Sequence, residues 1–352
     1  MKFQGRALPK PILHQLGGKS FMRYVGHLSR KDPLYGYLRH DILPRMGVHG
    51  TPDFRVYKIN VSRKVYLYKD KHSRARVVGK FFGDDSHSSH KSAYHTMKQE
   101  YHNLKSARGT GFMGYPHYVA RPLGYNAHLS CVLVAEYCDG TPLDAFLVRA
   151  IREGARDALF QKLTALAYFL ATMHNRTANG IGVDFNTDGS YFSGITNRLR
   201  KCGYIGWGEA EELYWLKDRW LEKGFMWKDQ QVLVHGDVTP TNILFGDGLW
   251  VIAVDLECMK RADRVFDVGR VCGEIKHFFM QYSGNKDLAE PFIGHFLWEY
   301  ACHFPDRQRA FASITRRVPF YMGLTLLRIA RNSWVNGHYR RNLVEEAKKT
   351  LR

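Results

Sequence analysis

The sequence predicts an α+β protein with two lobes, in which a small antiparallel sheet precedes a mostly helical region. Three runs alternate apolar with polar residues, at residues 54–59, 65–68 and 76–82, and short polar turns join them. This pattern is typical of an antiparallel meander. Beyond residue 140, apolar residues recur every three or four positions, most clearly between residues 159 and 173, which indicates amphipathic helices.

The two lobes are predicted to meet in the turn-like stretch that ends at Gly140. We assign residues 51–140 to the sheet lobe with its hinge, and residues 141–352 to the helical lobe. Residues 1–50 mix short apolar runs with proline and glycine, and we treat them as an N-terminal extension of unknown role. At 352 residues the chain is long enough for two compact units of about 150 residues each.

Within the sheet lobe, a helix at about 94–107 and a buried strand at 131–136 are predicted to follow the meander. In the helical lobe, one long helix ends near His174 and another covers residues 207–224. The stretch 175–204 is rich in glycine, asparagine and threonine, and we expect loops there. Short strand-like runs also lie in this half, at residues 232–234, 243–245 and 250–254.

The composition is that of a folded protein, with 45% hydrophobic and 14% aromatic residues. The longest apolar stretches, such as residues 163–173, fall short of the roughly 20 residues that span a bilayer. The first residues lack the apolar segment of a secretory signal, so a cytoplasmic protein is expected. The six cysteines are scattered without a C-x-x-C pair, and we predict neither a zinc site nor a disulfide framework.

Positive charge is concentrated at the N-terminal end of the chain. Residues 1–130 carry 23 Lys and Arg against 7 Asp and Glu, a net charge of +16, whereas the remaining residues carry only +3. Such asymmetry favours an anionic partner, such as nucleic acid, a membrane surface or a phosphorylated substrate. A surface that merely keeps the protein soluble is the alternative.

The segment 234–257 contains the residues that indicate chemistry. Asp237 follows His235 by two residues, Asn242 comes five residues later, and Asp255 lies beyond a predicted hairpin in a D-x-E sequence. A rigid loop of this spacing can present one carboxylate to an acceptor hydroxyl while its other end holds a metal ion. The hairpin would return Asp255 to the same metal. The H-x-D-x-x-x-x-N pattern is typical of kinase catalytic loops.

This segment resembles the aminoglycoside phosphotransferase and choline kinase branch of the protein-kinase-like superfamily, and the resemblance extends over about residues 54–335. It implies a two-lobed protein-kinase-like fold and ATP-dependent phosphoryl transfer with Mg²⁺ to a hydroxyl. In this interpretation Asp237 is catalytic, and Asn242 and Asp255 bind the metal. Asp267 would brace the catalytic loop.

The upstream residues fit the same resemblance. A kinase holds the nucleotide phosphates with a lysine on its third strand, which a helix glutamate positions. Lys80 lies at the end of the third strand-like run, and Glu100 lies 20 residues later in the predicted helix. The strand that ends at Glu136 resembles the hinge that receives adenine, where the carbonyl of Glu136 and the amide of Cys138 would bind.

One element of the kinase pattern is missing from the first lobe. No G-x-G-x-x-G lies between the first two strands, and the turn at residues 60–64 takes its place. The resemblance implies that Ser62 and neighbouring amides contact the phosphates. An ordinary surface-turn serine is the alternative.

Two features distinguish this chain from protein kinases. Asp255 and Asp267 are twelve residues apart and no A-P-E follows, which leaves no room for an activation segment. About 60 residues separate His174 from His235, and the resemblance implies that the insertion at 175–230 walls the acceptor pocket. Its aromatic residues are equally consistent with an ordinary core.

We therefore predict a kinase that moves the γ-phosphoryl group of ATP to a hydroxyl of a small molecule or glycan, such as a sugar or amino alcohol. The insertion has acids that would suit a cationic aminoglycoside, but the basic first lobe argues against that substrate. The alternative is a kinase-like protein that acts on or docks to an anionic polymer, RNA or a membrane glycolipid such as lipopolysaccharide. A pseudokinase is disfavoured because the catalytic set is complete.

Overall fold

The computed structural model describes residues 22–59, 64–83 and 89–352, and it confirms the predicted α+β fold with two lobes. The strands in this part of the chain are β1 (Arg23–His27), β2 (Phe54–Lys58), β3 (Lys64–Asp70), β4 (Arg76–Phe81), β5 (Met113–Gly114), β6 (His117–Val119), β7 (Pro122–Asn126), β8 (Val132–Glu136), β9 (Thr141–Pro142), β10 (Val232–Val234), β11 (Ile243–Phe245), β12 (Val251–Ala253) and β13 (Lys260–Ala262). The α-helices are α1 (Pro33–Tyr37), α2 (His90–Gly109), α3 (Leu143–Arg152), α4 (Arg156–Thr177), α5 (Phe185–Lys201), α6 (Trp207–Leu221), α7 (Val265–Tyr282), α8 (Glu290–Ala301), α9 (Arg307–Ala330) and α10 (Gly337–Leu351).

The first lobe is built on one six-stranded antiparallel sheet in the order β1-β2-β3-β4-β8-β7. The predicted meander forms its centre, and Lys80 on β4 pairs with Val65 on one side and Leu133 on the other. Because β4 has a neighbour at both edges, the backbone that carries Lys80 is held in place.

Both faces of this sheet are covered. On one face, Leu38 and Ile42, which follow α1, pack with Phe54 of β2. On the other face, Met97 of α2 belongs to the same buried cluster as Leu133 of β8. The described part of the N-terminal extension is thus built into the sheet lobe, since β1 pairs with β2 and α1 lies over the core.

The second lobe is mostly helical, and one of the sequence predictions for it is wrong. Residues 175–204 were expected to form loops, but α5 occupies residues 185–201. Phe185, Phe192 and Leu199 recur at seven-residue intervals and are fully buried. The ring of Phe185 lies 4.7 Å from that of Phe320 on α9. Tertiary packing of this apolar face outweighs the weak helix propensity of glycine, asparagine and threonine.

Four short strands position the catalytic segment at the junction of the lobes. The predicted runs form β10, β11 and β12, and β11 pairs with β12 as the expected hairpin. The fourth strand, β13, had no prediction and pairs with β10, so the chain after the hairpin returns beside the strand that precedes the loop. None of the described helices combines the length and apolar character needed to cross a bilayer.

Candidate active site

The loop between β10 and β11 is fixed by a buried carboxylate. Asp267 of α7 is fully buried and accepts hydrogen bonds from the backbone N–H groups of His235 (2.6 Å) and Gly236 (3.0 Å). His174 Nε2 lies 3.3 Å from the same carboxylate. Burial disfavours its ionised form, but these partners outweigh the burial and lower the pKa of Asp267. The carboxylate therefore braces the loop in the way the resemblance implied.

Gly236 is required where the loop turns. Its φ is +78°, and a Cβ at this position would lie only 2.0 Å from the carbonyl oxygen of Cys258. A side chain would therefore force the loop away from the segment that follows β12. This close approach places Asp237 beside the residues that follow the hairpin.

The Asp237 carboxylate is held by two guanidinium groups. Arg270 Nη1 lies 2.9 Å from Oδ1, and Arg328 Nη2 donates to the same oxygen. Asn242 Nδ2 lies 3.3 Å from Oδ2 and 3.0 Å from the main-chain oxygen of Asp237. Arg328 also lies 3.5 Å from Glu274, whose pKa is raised to about 7 by burial. The carboxylate is thus fixed from both oxygens.

The hairpin brings the backbones of the two predicted metal ligands, Asn242 and Asp255, close together. The N–H of Val254 donates to the carbonyl of Asn242 at 3.0 Å, which places Asp255 next to the end of the catalytic loop. Asp255 has a φ of +62°, a conformation that non-glycine residues seldom adopt. Backbone strain of this kind is concentrated at functional sites, where the surrounding structure maintains it.

Lys80 joins three carboxylates from two distant parts of the chain. Its Nζ lies 2.7 Å from Glu100, 2.7 Å from Asp255 and 3.1 Å from Glu257. The side chains of Lys80 and Glu100 are only 10% and 4% exposed. Asn103, one turn after Glu100 on α2, donates to the carbonyl of Leu256 at 2.8 Å and so ties the helix to the same segment.

Burial and ion pairing together determine the pKa values of Lys80 and Glu100. Burial disfavours the charged form of Lys80, but Glu100, Asp255 and Glu257 outweigh it and raise the pKa of its ammonium group. Burial raises the pKa of Glu100, and Lys80 opposes that shift. The lysine therefore stays charged at neutral pH and holds the three acids together.

The donor set fits a hard divalent cation. One carboxylate oxygen from each of Glu100, Asp255 and Glu257 lies within 4.8 Å of the others. Carboxylate and amide oxygens are the protein ligands that Mg²⁺ prefers. Asp255 and Glu257 are partly exposed, and Asn242 lies beside them, so these residues could reach an ion in the cleft.

The predicted adenine-binding hinge uses main-chain groups of Glu136 and Cys138. In the structure, the side chain of Glu136 makes hydrogen bonds elsewhere. Its Oε1 accepts hydrogen bonds from the hydroxyl of Tyr118 (2.6 Å) and the N–H of Arg121 (2.6 Å). Burial raises the pKa of the Cys138 thiol to about 12, so this group stays neutral. Any ligand contact here would therefore come from the backbone. Ser62 lies outside the described residues.

The structure thus brings together Lys80, Glu100 and Asp255 in one cluster, and Asp237 with Asn242 in another. Sequence reasoning considered Glu257, the acid of the D-x-E sequence, as an assistant at the metal or acceptor site but did not place it among the predicted ligands. It missed Arg270, which lies one helical turn after Asp267 and so shares its face of α7. Nothing in the local sequence marks Arg328, because it reaches Asp237 from α9, 91 positions later.

Comparisons with known proteins agree with this geometry. Residues 53–302, well over half of the chain, match the model of the phosphotransferase enzyme family. No curated protein sequence matches the chain. Among solved structures, the ADP-bound aminoglycoside phosphotransferase APH(2'')-Ib is similar with a TM-score of 0.56 at 12% identity, over 91% of this chain and 97% of that one.

Two further structures share the fold. An ethanolamine kinase from Plasmodium vivax has a TM-score of 0.58 at 13% identity, over 90% of this chain and 85% of its own. A putative fructosamine-3-kinase from Haemophilus somnus has a TM-score of 0.55 at 14% identity, over 89% and 99%. At such low identity these likenesses show the shared two-lobed fold.

Fold and site together define a phosphotransferase of the kinase-like class. The chain belongs to the phosphotransferase enzyme family, whose model spans both lobes. This confirms the predicted resemblance and the predicted class of enzyme, a phosphotransferase.

Proposed function

We propose that this kinase transfers the γ-phosphoryl group of ATP to a hydroxyl of a small molecule or glycan, such as a sugar or amino alcohol. The observation that carries this proposal is the cluster around Lys80. Its Nζ lies 2.7 Å from Asp255 Oδ1 and so links the sheet lobe to the segment after β12. The similar structures include an aminoglycoside phosphotransferase, an ethanolamine kinase and a putative fructosamine-3-kinase, which supports a small acceptor. They lend no support to an anionic polymer.

The residues of the catalytic loop would orient the acceptor. Asp237 would accept the proton of the hydroxyl, or hold that hydroxyl for attack, which is the role of this carboxylate in the kinase pattern. Arg270 and Arg328 would act as positioning residues, because they fix one carboxylate oxygen while Asn242 approaches the other.

The nucleotide would lie between the lobes. Lys80 would contact its phosphates, Glu100 would hold that lysine, and the main chain of Glu136 and Cys138 would receive the adenine. Asn242 and Asp255 would hold Mg²⁺, with Glu257 close by. When bound, the ion neutralises charge on the β- and γ-phosphates.

A binding experiment tests the nucleotide and metal assignments. We expect ATP with Mg²⁺ to raise the melting temperature of the wild type, and we expect Asp255→Ala to abolish the part of this shift that depends on Mg²⁺. Asp247→Ala, in the exposed turn of the same hairpin, serves as the control. An unchanged shift in Asp255→Ala would contradict the metal assignment. ATP consumption across sugars, amino alcohols, aminoglycosides, lipopolysaccharide fragments and RNA then tests the acceptor class.

A polymer-binding role remains the second candidate because of one surface cavity. A cavity of about 480 Å³ on the sheet lobe is lined by Arg55, Lys69, Asp70, Lys71, Arg74 and Arg76. If it binds RNA, heparin or anionic vesicles, affinity will fall steeply between about 50 and about 200 mM salt. The variant Lys71→Glu/Arg74→Glu should then bind weakly with ATP affinity intact. Failure of all three polyanions to bind at low salt excludes this candidate.

A further inference from the structure

Two of the acids that would suit a cationic acceptor are engaged away from the catalytic loop. On α6, Glu209 caps its own helix by accepting the N–H of Gly206 at 2.8 Å. Glu212 lies 3.0 Å from Lys348 and 2.5 Å from Arg352, at the end of the chain. Glu212 therefore stabilises the contact between α6 and α10, and Glu209 lies 3.8 Å from the same Lys348.

Guanidinium groups surround Asp237 instead. Arg270 and Arg328 contact its carboxylate directly. Arg331 follows Arg328 by three residues, which places both on one face of the chain at the end of α9. Arg198 lies on α5, the helix that packs on α9. Burial lowers the pKa of Arg331, and the nearby positive charges of Arg328, Arg198 and Arg270 lower it further.

The charges in this cluster do not balance. Asp237 and Glu274 lie within ion-pair distance of Arg270 and Arg328, which gives two acids for two bases. Among the described residues, no carboxylate oxygen lies within 4.0 Å of the Arg198 or Arg331 guanidinium. Both side chains reach solvent, since Arg198 is exposed and Arg331 is half-buried.

Four guanidinium groups repel one another, so a bound anion would stabilise their arrangement. The planar guanidinium fork matches phosphate and carboxylate groups through paired hydrogen bonds. An aromatic pair lies alongside: Tyr191, seven residues before Arg198 and on the same face of α5, is partly exposed and has its ring 6.1 Å from that of the buried Phe266. The Cζ of Arg270 lies 5.1 Å from the Phe266 ring.

We propose that the acceptor carries an anionic group, a phosphate or a carboxylate, which Arg198 and Arg331 bind while its hydroxyl lies at Asp237. This inference rests on the proposed kinase activity and specifies its substrate class. The partly exposed Tyr191 ring would contact the body of the acceptor between the two ends, with the buried Phe266 behind it.

The first test measures anion binding with the nucleotide site filled. Inorganic phosphate is titrated by calorimetry in saturating AMP-PNP and Mg²⁺ into the wild type, Arg198→Gln/Arg331→Gln and Arg200→Gln/Arg316→Gln. The last variant is the control, because it removes two charges from the same two helices where each guanidinium lies over an aromatic ring. We expect equal binding to wild type and control, and at least tenfold weaker binding to the first variant. Equal binding to all three proteins, or none to the wild type, overturns the proposal.

The second test compares acceptors of matched shape, namely glucose, glucosamine, glucuronate and glucose 1-phosphate. We expect phosphoryl transfer to glucuronate or glucose 1-phosphate, and these two separate carboxylate from phosphate recognition. Arg198→Gln/Arg331→Gln should raise the acceptor KM at least tenfold and leave the ATP KM unchanged. Preferred transfer to glucose or glucosamine, unaffected by the variant, overturns the proposal. If none of the four reacts, the calorimetry decides.

The two proposals fail in different ways. A wild-type protein that does not bind AMP-PNP with Mg²⁺ contradicts the kinase function itself. A protein that binds the nucleotide but shows no phosphate binding that depends on Arg198 and Arg331 contradicts only the anionic acceptor.

Discussion

Lys80→Met removes the ammonium group that joins Glu100, Asp255 and Glu257, and the structure allows its effect to be estimated. The Lys80 and Glu100 side chains are 10% and 4% exposed, so water screens their interaction weakly. Removing one partner of a buried pair and leaving the other charged costs about 3–5 kcal/mol, and protonation of Glu100, whose pKa burial raises, brings the cost toward the lower end of that range. For 352 residues, unfolding entropy is roughly 0.7 kcal/mol/K, so the melting temperature should fall by roughly 4–7 °C.

The same variant makes a second, independent prediction. Without the lysine, the carboxylates of Asp255 and Glu257 repel each other, and a divalent cation can replace the lost charge. Mg²⁺ should therefore raise the melting temperature of Lys80→Met more than that of the wild type. Calorimetric melts in EDTA and in millimolar MgCl₂ measure both effects.

Lys69→Met provides the matched control, because Lys69 is an exposed lysine on the neighbouring strand β3. Its effect should stay within about 0.5 kcal/mol. If Lys80→Met lowers the melting temperature no more than this control, the cluster does not form in solution and the reasoning is refuted.

Two further predictions concern the catalytic loop and its surroundings. Gly236→Ala should displace the loop, destabilise the protein by about 1–3 kcal/mol or more, and abolish kinase activity. Gly208→Ala is the control, because a Cβ at this position meets nothing within 4 Å, and it should stabilise α6 by about 0.5–1 kcal/mol. Equal melting temperatures for the two variants would contradict this. Burial raises the pKa of Glu274 from 4.5 to about 7, so the folded state binds this proton more tightly than the unfolded state does. The protein therefore loses stability as the pH rises from about 4.5 to about 7. Glu274→Gln should therefore lose less stability than the wild type between pH 5 and pH 8, by up to about 3 kcal/mol, in calorimetric melts; equal losses would refute the burial effect.

The sequence predicted the elements whose patterns are local. Alternation predicted β2, β3 and β4 to within about two residues at each end, and the spacing of Asp237, Asn242 and Asp255 predicted the loop and the hairpin. Lys80 and Glu100 were placed by their positions on a strand and a helix, and they lie 2.7 Å apart. Their roles in binding nucleotide stay predictions.

What the sequence did not predict depends on packing between distant segments. Helix α5 has a composition that favours loops, and its stability comes from Phe185 and its neighbours against α9. Arg328 carries no motif, and its contact with Asp237 appears only when α9 lies beside the catalytic loop. The basic charge of the first lobe was evident from the sequence, whereas this second cluster was not, because its members are far apart along the chain.

The most direct test of the account is transfer of labelled γ-phosphate from ATP to the best acceptor of the screen, by the wild type and Asp237→Asn. A general base contributes about 10²–10⁴-fold to such a reaction. We predict that Asp237→Asn lowers kcat by at least about a hundredfold while the Kd for ATP with Mg²⁺ changes less than about twofold, because Asp237 lies outside the Lys80 cluster. Undiminished transfer by Asp237→Asn would contradict the central claim that this carboxylate activates the acceptor.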